Sequence, residues 1–274
     1  MTRIQQKINW IKMHALQEAE KPSFDDAFIT TWNMTKGAFT LLTQTGTYNA
    51  TIDWGDGTSS THTTGSPTHT YASAGQYQIS ITGQYNGLRI DGNVTQGSKL
   101  IAVNAWGNVG FTSFNNAFRS CENLVSLPNG SITGAENVKS FYRCFYDCKS
   151  LTAIPVDLFR YCVNVTNFAD CFYYCTSLET IPLDLFRYNI NVTTFEYCFR
   201  NCKNLALPIS IFNLTALQTK QPSMKQCFDV SSTARSHTGT VQPIWNYITI
   251  TARNYCFIRC TALTNYSQIP ELWR

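Results

Sequence analysis

The chain has 274 residues, of which 14% are charged, and a net charge of +4. That charged share lies far below the roughly one quarter usual in a globular chain, and Thr and Asn stand where charge would be, a composition suited to extracellular or virion β-proteins more than to cytosolic enzymes. The basic residues form no cluster, which excludes a nucleic-acid footprint, and no apolar run approaches the roughly 18 residues of a membrane span.

At the amino end Ile4, Ile8, Ile11, Ala15 and Leu16 recur at three- and four-residue steps. This spacing predicts an amphipathic helix over 3–20, stopped by Lys21-Pro22 because proline moves the preceding residue out of helical geometry. A helix of that length is marginal alone in water, so Ile4, Ile8, Ile11 and Leu16 are candidate assembly residues, docking on a larger assembly or packing on the next domain. The stripe is not a continuous apolar segment, so no secretory signal is expected.

From 24 to 83 the pattern changes to short runs at 28–32, 39–42, 48–54 and 77–82, separated by Gly-rich turns. Tyr77, Ile79 and Ile81 alternate with Gln78, Ser80 and Thr82, the signature of a half-buried strand. Asp53-Trp54-Gly55-Asp56-Gly57-Thr58, followed by His69-Thr70-Tyr71 and Gly75-Gln76-Tyr77, resembles the PKD domain, which implies a small immunoglobulin-like β-sandwich. Asp53 and Asp56 are read as turn formers rather than as a catalytic or calcium pair, since Asp bonds nearby backbone and Gly accepts positive φ. His62 and His69 have no third ligand at metal spacing. A linker at 83–98 precedes Lys99–Val103 and Trp106-Gly107, expected to form a capping turn.

The remainder is periodic. Val138, Phe141, Cys144, Phe145, Cys148, Leu151, Ile154 and Pro155 return 27 residues later as Val165, Phe168, Cys171, Phe172, Cys175, Leu178, Ile181 and Pro182. A third copy carries Val192, Phe195, Cys198, Phe199, Cys202 and Leu205, and the register extends to six units keyed on Phe118, Phe145, Phe172, Phe199, Phe228 and Phe257. The fifth is degenerate: Ser231 replaces its second cysteine, and 232–247 reads as an inserted loop. A period of this size signals units that bury their apolar sides only against neighbours. Within each unit a short strand is expected at Leu-x-x-Ile-Pro, a helical turn at Asp-Leu-Phe-Arg-Tyr, an extended piece at Val-x-x-Phe and a helical turn through Cys-Phe-x-x-Cys.

These units resemble the BspA-like leucine-rich repeat proteins, which implies an α+β, multidomain chain. Its parts would be the N-terminal helix (1–22), the PKD-like sandwich (23–97) and a leucine-rich-repeat solenoid of about six units (98–274). Members of that family are bacterial and protist surface proteins, with relatives encoded in phages. The cysteine before the repeat phenylalanine departs from the family pattern.

The eleven cysteines allow two readings. Pairs at i,i+4 such as Cys144/Cys148 cannot bridge within one helical turn, and an extended ladder is a poor zinc framework. Buried thiols stacking between units are one account. Bridges from unit to unit, Cys121-Cys144, Cys148-Cys171, Cys175-Cys198 and Cys202-Cys227, are the other, with Cys162 free in both.

Positions that vary between otherwise identical units face solvent, because packing does not fix them. They are rich in Tyr and Arg, the commonest anchors of binding surfaces, so Tyr142, Arg143, Tyr146, Tyr173, Tyr174, Tyr197 and Arg200 are candidate ligand-binding residues. Asp157/Arg160 and Asp184/Arg187 at i,i+3 read as exposed ion pairs. No nucleophile elbow, metalloprotease motif or phosphate loop occurs, and His14, His62, His69 and His237 are scattered. The sequence thus leads to the expectation of a non-catalytic attachment protein, without cofactor or metal. It would sit on a phage particle through its N-terminal helix and bind a host surface protein or glycan through its repeats; the alternative is a bacterial cell-surface adhesin.

Overall fold

The computed structural model describes residues 27–208, 210–230, 237–240, 242–246 and 255–274. The expected helix over 3–20, with Ile4, Ile8, Ile11 and Leu16, lies outside the described residues.

Period-two alternation governs the first part. Strands β1 (Phe28–Met34), β2 (Gly37–Thr40), β3 (Thr47–Asp53), β4 (Ser59–Thr64), β5 (Thr68–Tyr71) and β6 (Gly75–Gln84) follow one another. The one-turn helix α1 (Val94–Gly97) and strand β7 (Leu100–Ala105) come next. In β3, Tyr48, Ala50 and Ile52 are buried and the residues between them exposed, as in a strand with one face on a core. Five strands form an antiparallel sheet in the order β4-β3-β6-β1-β7, and β2 pairs with β5 in a second sheet. The Trp32 ring of β1 meets Phe39 of β2 at 5.1 Å between centroids, so the two sheets share one core as a small β-sandwich. The segment expected to be a capping turn is instead β7, paired with β1 through Thr30↔Val103 and Thr31↔Ala102.

Past β7 the backbone runs mainly through turns. Among the described residues, α2 (Leu214–Lys220), two-residue strands β8 (Ala206–Leu207) and β9 (Thr238–Gly239), and three short 3-10 turns interrupt them. Each key phenylalanine sits in such a turn, and the amide of Phe145, Phe172 or Phe199 donates at 2.8 Å to the carbonyl of Cys171, Cys198 or Cys227 in the next one. Their rings stack nearly parallel at 5.2 Å (Phe118–Phe145 and Phe145–Phe172), 5.3 Å (Phe172–Phe199) and 5.4 Å (Phe199–Phe228). A second column joins Phe114, Phe141, Phe168 and Phe195. A third joins Phe159, Phe186 and Phe212. Leu151, Leu178 and Leu205 are fully buried among them. Each aromatic pair adds about 0.5–1.5 kcal/mol to the area it buries. The sandwich core runs into these columns through Phe28, whose ring meets Phe111 at 5.4 Å.

The α+β class and the leucine-rich-repeat solenoid are corrected by this architecture. The named strands pair chiefly in antiparallel sheets, and the described helices are two and short. The repeat units hold single-residue parallel bridges, Ser140↔Asn167, Asn167↔Thr194 and Ala153↔Thr180, in place of the strand and helical turns expected of them. The reason lies in the backbone: Arg143, Asp147, Asp170, Tyr174, Tyr197 and Asn201 take φ between 53° and 62°. Two left-handed residues in each of these three turns interrupt both helix and strand.

Candidate functional site

Within the first four turns the key phenylalanine is buried, and the residue after it emerges on the opposite side. That position holds Arg119, Tyr146, Tyr173 and Arg200 in four successive turns. The Tyr146 and Tyr173 rings stack at 4.8 Å with 2° between planes. The Arg119 guanidinium lies over the outer face of this pair, 5.4 Å from Tyr146, and Arg200 lies 5.7 Å from Tyr173 and 5.4 Å from Tyr197. Lys225 continues the line 5.5 Å from Tyr197. Arg143 covers Tyr142 at 4.8 Å and Tyr146 at 5.6 Å, and Tyr174 packs on Tyr173 at 5.0 Å. The candidates Tyr142, Arg143, Tyr146, Tyr173, Tyr174, Tyr197 and Arg200 are thus brought into one continuous column of alternating cations and rings.

Carboxylates lie beneath the cations. Arg143 Nε is 3.3 Å from Asp170 Oδ2, and Arg200 Nε is 2.9 Å from Asp229 Oδ2, while Arg259 Nη1 reaches Asp229 Oδ1 at 3.3 Å. The Asp229 side chain is 0% exposed whereas Arg143 and Arg200 are 35% and 26% exposed. Burial raises the carboxyls of Asp170 and Asp229 against the opposing pull of these arginines, and it raises the phenols of Tyr146 and Tyr173. The layer facing water is therefore cationic and phenolic, with its counter-charges underneath except at Arg119, where the exposed Asp91 lies 3.8 Å away.

Arg119, Lys225 and Asp229 were missed in the sequence, and Asp170, a variable position expected to face solvent, is buried. Arg119 stands 27 residues before Tyr146, so extending the variable position by one unit would have found it. The aspartates carry no comparable signal, because nothing in the pattern separates a buried counter-ion from a turn-forming Asp. Several variable positions have a backbone cause besides exposure: Arg143, Asp170 and Tyr197 precede the first cysteine at positive φ, and Asp147, Tyr174 and Asn201 precede the second.

All eleven cysteines are free and buried, so the unit-to-unit bridges do not form. The Sγ of Cys148, Cys175, Cys202 and Cys260 donates to the carbonyl of Phe118, Phe145, Phe172 and Phe228 at 3.2, 3.1, 3.0 and 2.9 Å. A thiol is small enough to stack there, and it adds a second donor to carbonyls of Phe118, Phe145 and Phe172 that already accept the amides of Cys121, Cys148 and Cys175. Burial holds the thiols of Cys148, Cys175 and Cys260 protonated, which removes them as nucleophiles.

On the sandwich, Asp53 and Asp56 do the work of a turn. Asp53 Oδ1 accepts from the Gly55 amide at 2.9 Å, and Asp56 Oδ1 accepts from the Thr58 amide at 3.1 Å and its hydroxyl at 2.6 Å. Gly55 has φ 79°, and a Cβ there would stand 2.4 Å from the Gln78 carbonyl. His69 Nε2 lies 2.7 Å from Asp56 Oδ2, with its ring stacked on Trp54 at 4.9 Å. The Thr58 hydroxyl first, and His69 after it, holds the Asp56 carboxyl below its ordinary range. Among the described residues no three His, Cys, Asp or Glu side chains converge as metal ligands, and no helix is long and apolar enough to cross a membrane. The second row departs from expectation in one unit: Asp157 pairs with Arg160 at 3.6 Å, but the Asp184 carboxylate accepts from Ser210 Oγ.

No family model, curated protein or solved structure matches the chain. The likeness to BspA-like leucine-rich repeat proteins therefore falls together with the fold it implied, and the PKD family finds no support beyond the presence of a small sandwich.

Proposed function

We propose that this is a non-catalytic attachment protein that holds a surface ligand through the arginine and tyrosine column. The observation that carries the reading is the continuity of that column over successive turns, with carboxylates buried below it. Tyr and Arg lose little conformational freedom when already stacked on each other, so an ordered row of them binds at low entropic cost. The arrangement of thiols supports a carrier that folds in a reducing compartment, since disulfides form and persist on oxidising export routes and eleven thiols here stay free. A phage particle assembled in the host cytoplasm fits this better than an exported adhesin, which is the alternative setting for the same binding face. Docking to the particle is assigned to the apolar stripe Ile4, Ile8, Ile11 and Leu16, on the strength of its spacing. The test is retention of fluorescently labelled protein on bacterial cells. Replacing Arg119 and Lys225 together by Gln should abolish retention at unchanged melting temperature; full retention by the folded double variant refutes the role of the column.

A further inference from the structure

We infer that the ligand of this column is a linear acidic polysaccharide lying along the stack axis, one sugar to each turn. This rests on the attachment reading and adds the chemical class of the ligand.

Three observations carry it. First, the faces of Tyr146 and Tyr173 are consumed by each other and by Arg119 and Arg200. The column therefore shows its ligand ring edges, phenol hydroxyls and guanidinium N–H groups. Such a rail of hydrogen-bonding groups suits a hydroxyl-rich partner; an apolar side chain of a protein partner would need the ring faces that are already covered.

Second, the charge is layered. Asp170 and Asp229 lie under the guanidiniums, and the more exposed acids nearby are engaged: Asp91 lies 3.2 Å from Arg89 and 3.8 Å from Arg119, Asp147 lies 3.4 Å from Lys149, and Glu196 accepts from Ser223 Oγ at 2.6 Å. The outermost groups, Arg119, Arg143, Arg200 and Lys225, are cations that retain N–H donors for a carboxylate, the geometry in which charge-assisted hydrogen bonds are strongest.

Third, the spacing repeats. The same position recurs at 4.8 Å between Tyr146 and Tyr173, over a core that repeats at 5.2 Å between Phe145 and Phe172. This is the advance of one pyranose along an extended chain, so a polysaccharide meets a guanidinium or phenol donor at each ring without bending. A globular partner gains nothing from such a repeat.

The test uses the full chain with polygalacturonate, alginate and hyaluronate as probes, dextran as the neutral control and polyglutamate as the non-sugar polyanion, by calorimetric titration at low and moderate salt. At least one acidic polysaccharide should bind, dextran and polyglutamate should not, and affinity should fall as salt rises. With a graded series of oligomers of the probe that binds, affinity should climb with length and level off once the oligomer spans the four turns of Arg119, Tyr146, Tyr173 and Arg200. Arg119→Gln with Lys225→Gln leaves the buried carboxylates paired and should weaken binding about tenfold or more, that is about 1.4 kcal/mol or more. Tyr142→Phe, a milder change, should weaken it without altering the melting curve.

Equal binding of polyglutamate, or affinity independent of oligomer length, would overturn the inference by reducing it to general charge attraction. Binding to none of the three acidic polysaccharides would also overturn it. In that case loss of cell retention by the double variant would show that the column still attaches the protein, through another ligand. If the folded double variant keeps both cell retention and polysaccharide binding, the attachment reading fails with it.

Discussion

Raising the pH should unfold this protein abruptly a little above pH 9, and the thiols are the cause. Burial raises nine of them, Cys121, Cys144, Cys148, Cys162, Cys171, Cys175, Cys198, Cys256 and Cys260. In the unfolded chain each ionises near its ordinary value of about 8.5, so the unfolded state loses protons that the native state keeps. The sign follows: these groups contribute nothing to pH sensitivity below the unfolded value, and stability is lost as pH rises past it. Each thiol loses RT ln(1 + 10^(pH − pKa)), about 0.8 kcal/mol at pH 9 and about 2 kcal/mol at pH 10. Nine together lose about 8 kcal/mol by pH 9 and about 18 kcal/mol by pH 10, against a total stability of about 5–15 kcal/mol for a domain. Urea midpoints followed by circular dichroism at fixed steps from pH 7 to pH 10, with reductant present and after full equilibration, measure this directly. Midpoints should fall steeply from about pH 8.5 upward. A midpoint unchanged at pH 10 would refute the reasoning, because nine buried protonated thiols could not coexist with it.

The other expectations concern the core, the thiols, the buried charges and the inserted segment. Phe172→Ala removes a buried ring stacked on Phe145 and Phe199 and should cost about 3–5 kcal/mol; a loss below about 1 kcal/mol in urea melts would contradict the packing. Protein denatured without reductant should titrate with a thiol reagent at eleven equivalents, and native protein with almost none; three in the denatured state would indicate four bridges. Asp229→Ala strands Arg200 beside an emptied buried site and should cost about 3–5 kcal/mol, whereas Asp157→Asn, which removes the charge of an exposed ion pair and keeps a residue that tolerates the left-handed φ of 60° there, should stay within about 1 kcal/mol. Burial of His237 lowers its pKa from 6.5 to about 4, so its stabilising effect is complete above pH 6.5 and is lost as pH falls toward 4. His237→Gln should flatten the acid slope of the melting temperature over that window, and an unchanged slope would place the imidazole elsewhere.

The strands that were legible in the sequence are those whose burial alternates. Tyr48, Ala50 and Ile52 announce β3, and Ile79 and Ile81 announce β6. β4, Ser-Ser-Thr-His-Thr-Thr, was not legible, because it is a polar edge strand with no buried residue to mark its period. The repeat told which residues stack, since shape and apolarity recur every 27 positions, but not how the backbone gets there. Left-handed φ is announced by Gly or Asn, and here Arg143, Tyr174 and Tyr197 adopt it, held by amide bonds to the next turn such as Tyr174 N to Arg200 O at 2.9 Å. Tertiary bonding overrode local preference, and helical turns were expected where single left-handed residues break the helix. The candidate ligand residues were legible as variation, and their mutual stacking was not, because two residues 27 apart reveal no ring geometry until the turns are superposed.

Hydroxyl-radical footprinting of the chain with and without bound cell envelope, read by mass spectrometry, bears most directly on the binding face. Tyr142, Tyr146, Tyr173, Tyr174 and Tyr197 should be protected on binding, while Tyr77 on the sandwich and Tyr266 near the carboxyl end react as before. Protection of Tyr77 with the column tyrosines unchanged would contradict this and move the binding face to the sandwich.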